Sequence, residues 1–135
     1  MTVFVDTSAL FALVSVRDLN HERAVAQWRA WLETPVDLVL SNYVLVETTA
    51  LIQNRLGMRA LQDFNDIVLP IMEVYWITQA IHARASAMLI TAGRRQLSLV
   101  DCSSFIVMQD LGVTTAFAFD QHFIEQGFTV LPTRV

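Results

Sequence analysis

Short, almost wholly apolar runs alternate along this chain with longer segments of helical character, and that alternation constrains its fold more than any other feature. The runs fall at residues 2–5, 36–40, 114–119 and 128–131, with a further β-rich stretch at 72–77. A strand that is apolar at consecutive positions has to be covered on both of its faces. Strands of this kind, separated by helices, imply an α/β fold with a short central parallel sheet flanked by helices on both faces. The spacing predicts helices over 7–16, 20–33 (capped by Asn20 and carrying Ala24, Trp28, Trp31 and Leu32 on one face), 42–55, 58–68, 79–92 and 98–111. A short helix is expected from Gln121. Gly57, Gly93 and Gly112 stand where helices should stop. In sheets of this type ligands bind beyond the carboxyl ends of the strands.

At 135 residues the chain is expected to form a single domain over 1–135, large enough for a core without disulfides or a structural metal. Its one cysteine, Cys102, excludes an internal disulfide and a Cys-rich zinc site, and points to a reducing compartment. Hydrophobic residues make up 54% of the chain and charged residues 16%, with a mean hydropathy of +0.45. That is more apolar surface than one small core hides, so a partner or a homodimer is expected. No segment reads as a membrane span or a signal peptide, and a cytoplasmic location is expected.

All 9 basic residues are arginine. Without lysine there is no P-loop, no Schiff base and no kinase chemistry. A net charge of −4 also argues against DNA binding through bulk positive charge.

The acids stand where acids need explaining. Asp6 and Asp120 each end an apolar strand and precede a helix. Each could be a simple N-cap, yet two such acids in one sheet point into the region where ligands bind. Asp101 follows Ser98 by three residues, the spacing of a capping box. Glu47 has the weakest structural explanation. It lies inside a helix among Tyr43, Val44, Ala50 and Leu51, and a half-buried carboxylate there needs a compensating cation. With no lysine available, that cation is expected to be a hard divalent ion, Mg²⁺ or Mn²⁺, held by oxygens. His21, His82 and His122 show no metal-ligand spacing and read as surface or capping residues. Ser8, Ser103 and Ser104 lack a nucleophile elbow. Carboxylates holding Mg²⁺ at the end of a parallel sheet suggest phosphate-ester hydrolysis by metal-activated water.

With these pieces in place, the chain resembles the PIN-domain proteins, and in particular the VapC ribonuclease toxins of bacterial toxin–antitoxin pairs. The resemblance is carried by VFVDTSAL, SNYVLVETTALI, LSLVDCSSFIVMQDLGV and AFAFDQHFIEQGF, which occur in the family's order and cover essentially the whole chain. It implies a PIN-like fold and Mg²⁺- or Mn²⁺-dependent endoribonuclease activity on RNA. It places Asp6, Glu47, Asp101 and Asp120 on the family's acidic positions. Asp6 would be the central metal ligand, with Asp101 and Glu47 completing the shell directly or through water. Asp120 would hold a second ion or orient the attacking water. Thr7 or Ser8, and Ser104, fall on accessory polar positions. The resemblance also implies a homodimer and a cognate antitoxin. Arg94 and Arg95 are left to meet RNA phosphates, with an ordinary charged turn as the alternative. The competing functional readings are a PIN nuclease of RNA processing outside toxin–antitoxin systems, and a non-catalytic acidic module that binds metal or a basic peptide.

Three further expectations concern the tryptophans, Asp110 and the pH dependence of metal binding. Trp28 and Trp31 read as core or interface rather than base-stacking residues. Asp110, in the last turn of its helix, should face solvent. Metal binding should fade below about pH 4–5, where ordinary carboxylates protonate.

Overall fold

The computed structural model describes residues 1–133, so the expected domain limit at residue 135 lies outside the described residues. Five strands, β1 (Thr2–Val5), β2 (Asp37–Ser41), β3 (Glu73–Tyr75), β4 (Thr115–Phe117) and β5 (Thr129–Leu131), form one sheet in the order β3-β2-β1-β4-β5. Every pairing is parallel; Phe4, for example, lies opposite Val39 of β2 and Ala116 of β4. Successive strand residues point to opposite faces, and Val3, Phe4 and Val5 are all fully buried. The central strand is therefore covered on both sides, as its unbroken apolar run requires.

The helices are α1 (Thr7–Val14), α2 (His21–Glu33), α3 (Asn42–Leu56), α4 (Met58–Asp63), α5 (Gln79–Ala92), α6 (Leu99–Leu111) and α7 (His122–Glu125). Helix α6 is the most deeply placed, with every residue from Asp101 to Met108 buried. It packs against α5 and α3, and α3 in turn meets α1. The core includes Phe4, Phe64, Phe105, Phe117 and Phe123, all essentially inaccessible. Trp31 stands edge-on to Phe117 with ring centroids 5.0 Å apart. Truncating such a buried aromatic to alanine costs roughly 3–5 kcal/mol.

Several local expectations need correction. Asn20 precedes α2 but makes no side-chain cap, because its ψ of 8° turns the side chain away from the first-turn N–H groups. The carboxylate of Asp18 accepts the Asn20 N–H instead, at 2.8 Å. The helix expected over 58–68 is α-helical only to Asp63. It widens into a π turn over Phe64–Val68, closed by the Leu69 N–H on the Phe64 carbonyl, and ends in a 3₁₀ turn containing Pro70. Proline has no N–H to continue the ladder. Strands β3, β4 and β5 are shorter than their apolar runs: β3 stops before the exposed Trp76, β5 starts one residue late, and after β4 the pairing ends at Phe117 although Ala118 is still buried. Gly112 closes α6 in the left-handed region, with φ 67°, where a side chain would be strained. Among the described residues no helix is long and apolar enough to cross a membrane.

Candidate active site

Because all strands run in one direction, their carboxyl ends share one edge of the sheet. Asp6 follows β1 directly, and the loop carrying Asp120 leaves β4, its hydrogen-bonded neighbour. The Asp6 N–H extends the ladder to the Phe117 carbonyl at 3.0 Å. Asp101 arrives from the first turn of α6 and Glu47 from the second turn of α3. The four carboxylates line one open cleft of about 660 Å³, together with Thr7 and Ser8.

A carboxylate has two oxygens, so cap and ligand need not exclude one another at Asp6, the N-cap of α1, or at Asp101 in the capping box of α6. Asp120 is not the expected cap, since Gln121 takes the N-cap position of α7, but it too bonds locally through one oxygen. One oxygen of Asp6 accepts both the Ser8 N–H at 3.1 Å and the Ser8 hydroxyl at 2.6 Å. One oxygen of Asp101 accepts the Ser98 N–H at 3.1 Å, while the Ser98 hydroxyl accepts the Asp101 N–H at 3.0 Å, closing the expected capping box. One oxygen of Asp120 accepts the His122 N–H at 2.9 Å. Among the described residues the second oxygen of each makes no hydrogen bond. The loops are therefore held by one oxygen and a ligand position is left on the other.

Ser8 has a further part in this geometry. Its hydroxyl accepts the Phe119 N–H at 2.9 Å, tying the start of α1 to the loop that carries Asp120. Thr7 turns inward, where its Oγ1 accepts the Thr48 hydroxyl at 3.0 Å. Ser104, by contrast, is not brought into the cleft. It is fully buried and donates to the Val100 carbonyl one helical turn back, at 3.0 Å, because it lies on the inner face of α6. Arg94 and Arg95 also lie outside the cleft lining. Arg94 is exposed and paired with Glu125 at 2.8 Å.

The electrostatics are those of acids crowded together without a cation. Burial pushes the Asp6 carboxyl up to about 7, reinforced by the charges of Asp101 and Asp120 and opposed by the two Ser8 hydrogen bonds. Glu47 is also raised, by burial first and then by Asp101 and Asp120, against the nearby Thr7 hydroxyl. Asp101 is raised by burial and by Asp120, while its bond to the Ser98 N–H opposes the shift. Among the described residues no arginine is paired with any of the four. Free carboxylate oxygens facing one cleft, with their charged forms destabilised, fit a hard divalent cation.

Sequence reasoning missed three residues of the cleft wall and one beside it. Asn54 and Gln96 line the cleft, and Ser98 lines it as well as capping α6. Asn54 stands seven residues after Glu47, two helical turns along the same face, and that spacing could have found it. His122 is not the surface or capping residue expected. It places a ring nitrogen in one group with carboxylate oxygens of Asp101 and Asp120, all within 4.8 Å of one another. The signal for it was its position two residues after a cleft acid. His21 and His82 do lie elsewhere, against the Ala12 carbonyl and Tyr43.

Comparison with known proteins agrees with this architecture. The family model described as PIN domain matches residues 3–128. The 23S rRNA-specific endonuclease VapC20 of Mycobacterium tuberculosis is 36% identical over 127 residues, which cover 93% of this chain and 95% of that protein. The crystal structure of VapC20, a Sarcin-Ricin loop cleaving toxin, superposes with a TM-score of 0.82 at 35% identity, covering 94% of this chain and 96% of that one. At the level of fold alone, FitAcB from Neisseria gonorrhoeae matches with a TM-score of 0.67 at 18% identity, over 96% of each chain. VapBC2 from Rickettsia felis, bound to a DNA fragment from its promoter, also matches with a TM-score of 0.67, at 13% identity over 96% of this chain and 97% of that one. A parallel sheet ordered as here, acids from two neighbouring strand ends and two helices in one cleft, and a family match across almost the whole length lead to one assignment: the chain belongs to the PIN domain family.

Proposed function

We propose that this chain is a metal-dependent endoribonuclease, the toxin of a type II toxin–antitoxin pair, acting on RNA through the cleft of Asp6, Glu47, Asp101 and Asp120. The observation that carries the reading is the convergence of these four carboxylates, each from a different segment, on one cleft without a cationic side chain among them. Identity to VapC20 over most of both chains supports the substrate class, and a loop of 23S rRNA is the first substrate to test. Such an enzyme works in the cytoplasm, where ribosomes are.

Asp6, Asp101 and Asp120 would hold Mg²⁺, or Mn²⁺, through the oxygens their local hydrogen bonds leave free. The chemistry such an ion supplies is neutralisation of phosphodiester charge and activation of water. Glu47, whose raised pKa makes it a better proton acceptor, would take a proton from the attacking water as the water oxygen bonds to phosphorus and the P–O bond to the leaving nucleotide breaks, the departing oxygen being protonated from solvent in the open cleft. Thr7 and Ser8 hold the start of α1 so that Asp6 stays aimed at the cleft. Arg94 and Arg95, upstream of α6, would meet flanking phosphates. The looped or single-stranded form of RNA suits an open cleft, since its backbone can be bent into it. A homodimer and an antitoxin complete the proposal. Its support is the exposed apolar surface, including Trp76, Val46 and Ile90, which a monomer leaves in water.

The test is to incubate the purified chain with ribosomes and naked 23S rRNA in Mg²⁺ or Mn²⁺ and map new RNA ends. Discrete cleavage by the wild type, lost with chelator and in Asp6→Asn, is expected. No cleavage of either RNA, or cleavage by Asp6→Asn at the wild-type rate, refutes the assignment.

A further inference from the structure

We propose that Arg23, carried on α2 and stacked over Phe119, forms a subsite beside the acidic cleft that holds one phosphate of the RNA strand as it leaves that cleft. This rests on the reading that the cleft acts on RNA and adds a substrate contact that the acidic positions do not include.

A second cavity, of about 190 Å³, opens beside the cleft, and its wall includes Asn20, Arg23, Phe119, Asp120 and Pro132. Asp120 lines both spaces, so they meet at that carboxylate. A phosphate backbone leaving the cleft on this side passes Asp120, whose charge repels it. Among the described residues Arg23 is the only arginine lining either space, and so the cation placed to offset that repulsion. The cavity has the volume of about six water molecules. That is room for a phosphate group, and less than the roughly 300 Å³ at which pockets for whole small molecules begin.

What holds Arg23 leaves part of it free. Its Nη2 donates to the Pro132 carbonyl at 3.4 Å and to the Thr133 carbonyl at 3.0 Å. A guanidinium also carries N–H donors on Nε and Nη1. Among the described residues these make no hydrogen bond, and no carboxylate forms an ion pair with Arg23. The guanidinium carbon lies 5.4 Å from the centroid of the Phe119 ring. That stacking fixes the planar head without using its donors. Phe119 is itself anchored: its N–H donates to the Ser8 hydroxyl at 2.9 Å, and the same hydroxyl donates to Asp6 at 2.6 Å. One serine therefore fixes the platform under Arg23 relative to Asp6. Asn20 makes no side-chain cap on α2, so its amide is a second donor at the cavity wall. Because the guanidinium already covers one face of Phe119, the geometry favours a phosphate over a base stacked on that ring.

RNA oligonucleotides carrying a single uncharged methylphosphonate at successive positions test this on the unaltered full-length protein. Cleavage kinetics should show one flanking position at which neutralisation raises KM about tenfold with kcat little changed, the effect of losing one hydrogen bond to a charged group. Arg23→Gln should raise KM by a similar factor for the all-phosphate RNA and lose the sensitivity at that position, and Arg23→Lys should restore part of both. Binding of the all-phosphate RNA to Asp6→Asn, followed by fluorescence anisotropy, should show a slope of log affinity against log salt that falls by about 0.7–1 when Arg23→Gln is added. Equal KM at every methylphosphonate position, or a sensitivity that persists in full in Arg23→Gln, overturns the proposal. So does a loss on removing a flanking base with none on neutralising its phosphate. Asp6-dependent cleavage would survive each of these results, so the nuclease assignment would stand. RNA binding with the Arg23-dependent slope but without cleavage would refute that assignment and support the phosphate contact, while no RNA binding at all would overturn both.

Discussion

The hydroxyl of Thr48 donates to the Oγ1 of Thr7 across 3.0 Å of buried interior, and each threonine sits beside an acid of the cleft. Thr7 follows Asp6 and Thr48 follows Glu47, so this one bond sets how the start of α1 meets the middle of α3. It thereby sets the placing of two carboxylates that are 41 residues apart in sequence. Thr48→Val keeps the shape and removes the donor. It should lower unfolding free energy by about 1 kcal/mol, read from urea melts, and slow RNA cleavage with little change in KM. Unchanged stability together with unchanged turnover would show that the bond positions nothing.

The raised acids make stability depend on pH in a definite direction. The Asp6 carboxyl stands at about 7 in the folded protein against an ordinary 3.8, and Glu47 and Asp101 are raised as well. Between those limits the folded state binds more protons than the unfolded chain, so the metal-free protein should lose stability as pH rises from about 4 to about 7. Cation binding needs the ionised forms. The melting-temperature gain from Mn²⁺ should therefore be small at pH 5 and large at pH 8, a higher window than ordinary carboxylates suggest. Thermal melts across this range, with and without Mn²⁺, check both trends, and Asp6→Asn should flatten them.

Glu47 has no ion-pair partner among the described residues, and burial disfavours its charge. In the metal-free protein Glu47→Gln should be neutral or stabilising at pH 8, while cleavage falls sharply. A clear drop in the metal-free melting temperature would mean that the carboxylate holds the fold through an ion pair with an arginine.

Asp110 provides the control for metal effects, though not as an isolated surface charge. It is exposed as expected, yet it forms a two-pronged ion pair with Arg84 at 2.8 and 3.2 Å, joining α6 to α5. Its carboxyl is held below the usual range by that hydrogen-bonded guanidinium. Asp110→Asn should cost a little stability, and less in high salt, with the Mn²⁺-induced shift intact. A combined Asp6→Asn, Asp101→Asn variant should lose most of the shift. Equal shifts in the two variants would place the ion elsewhere.

Arg95 has no ion-pair partner among the described residues, whereas Arg94 must share its charge with Glu125. Removing a phosphate contact lowers the slope of log binding against log salt by about 0.7–1 per contact. Arg95→Ala should show that loss with single-stranded RNA in fluorescence anisotropy, and Arg94→Ala a smaller one. An unchanged slope for both would leave them as an ordinary charged turn.

The element order, the parallel sheet and most helix limits were legible in the sequence because they depend on local properties. Apolar runs such as residues 3–5 need cover on both faces, Gly93 and Gly112 stop helices, and Ser98 with Asp101 closes a capping box through contacts three residues apart. The four acids were legible for a related reason: each is out of place in its own segment, and Glu47 most of all. Tertiary structure decided everything that depends on distance between segments. It showed that one oxygen of each aspartate is bonded to its own turn or helix start while the other makes no hydrogen bond among the described residues. It sent Ser104 inward to the Val100 carbonyl, bound Arg94 to Glu125, and brought His122 beside Asp101 across a gap of 21 residues. Sequence spacing carries the periodicity of a helix or a strand, and so it says which way a side chain leaves its own element. What that side chain meets depends on how the elements pack, and packing is set by the whole core at once.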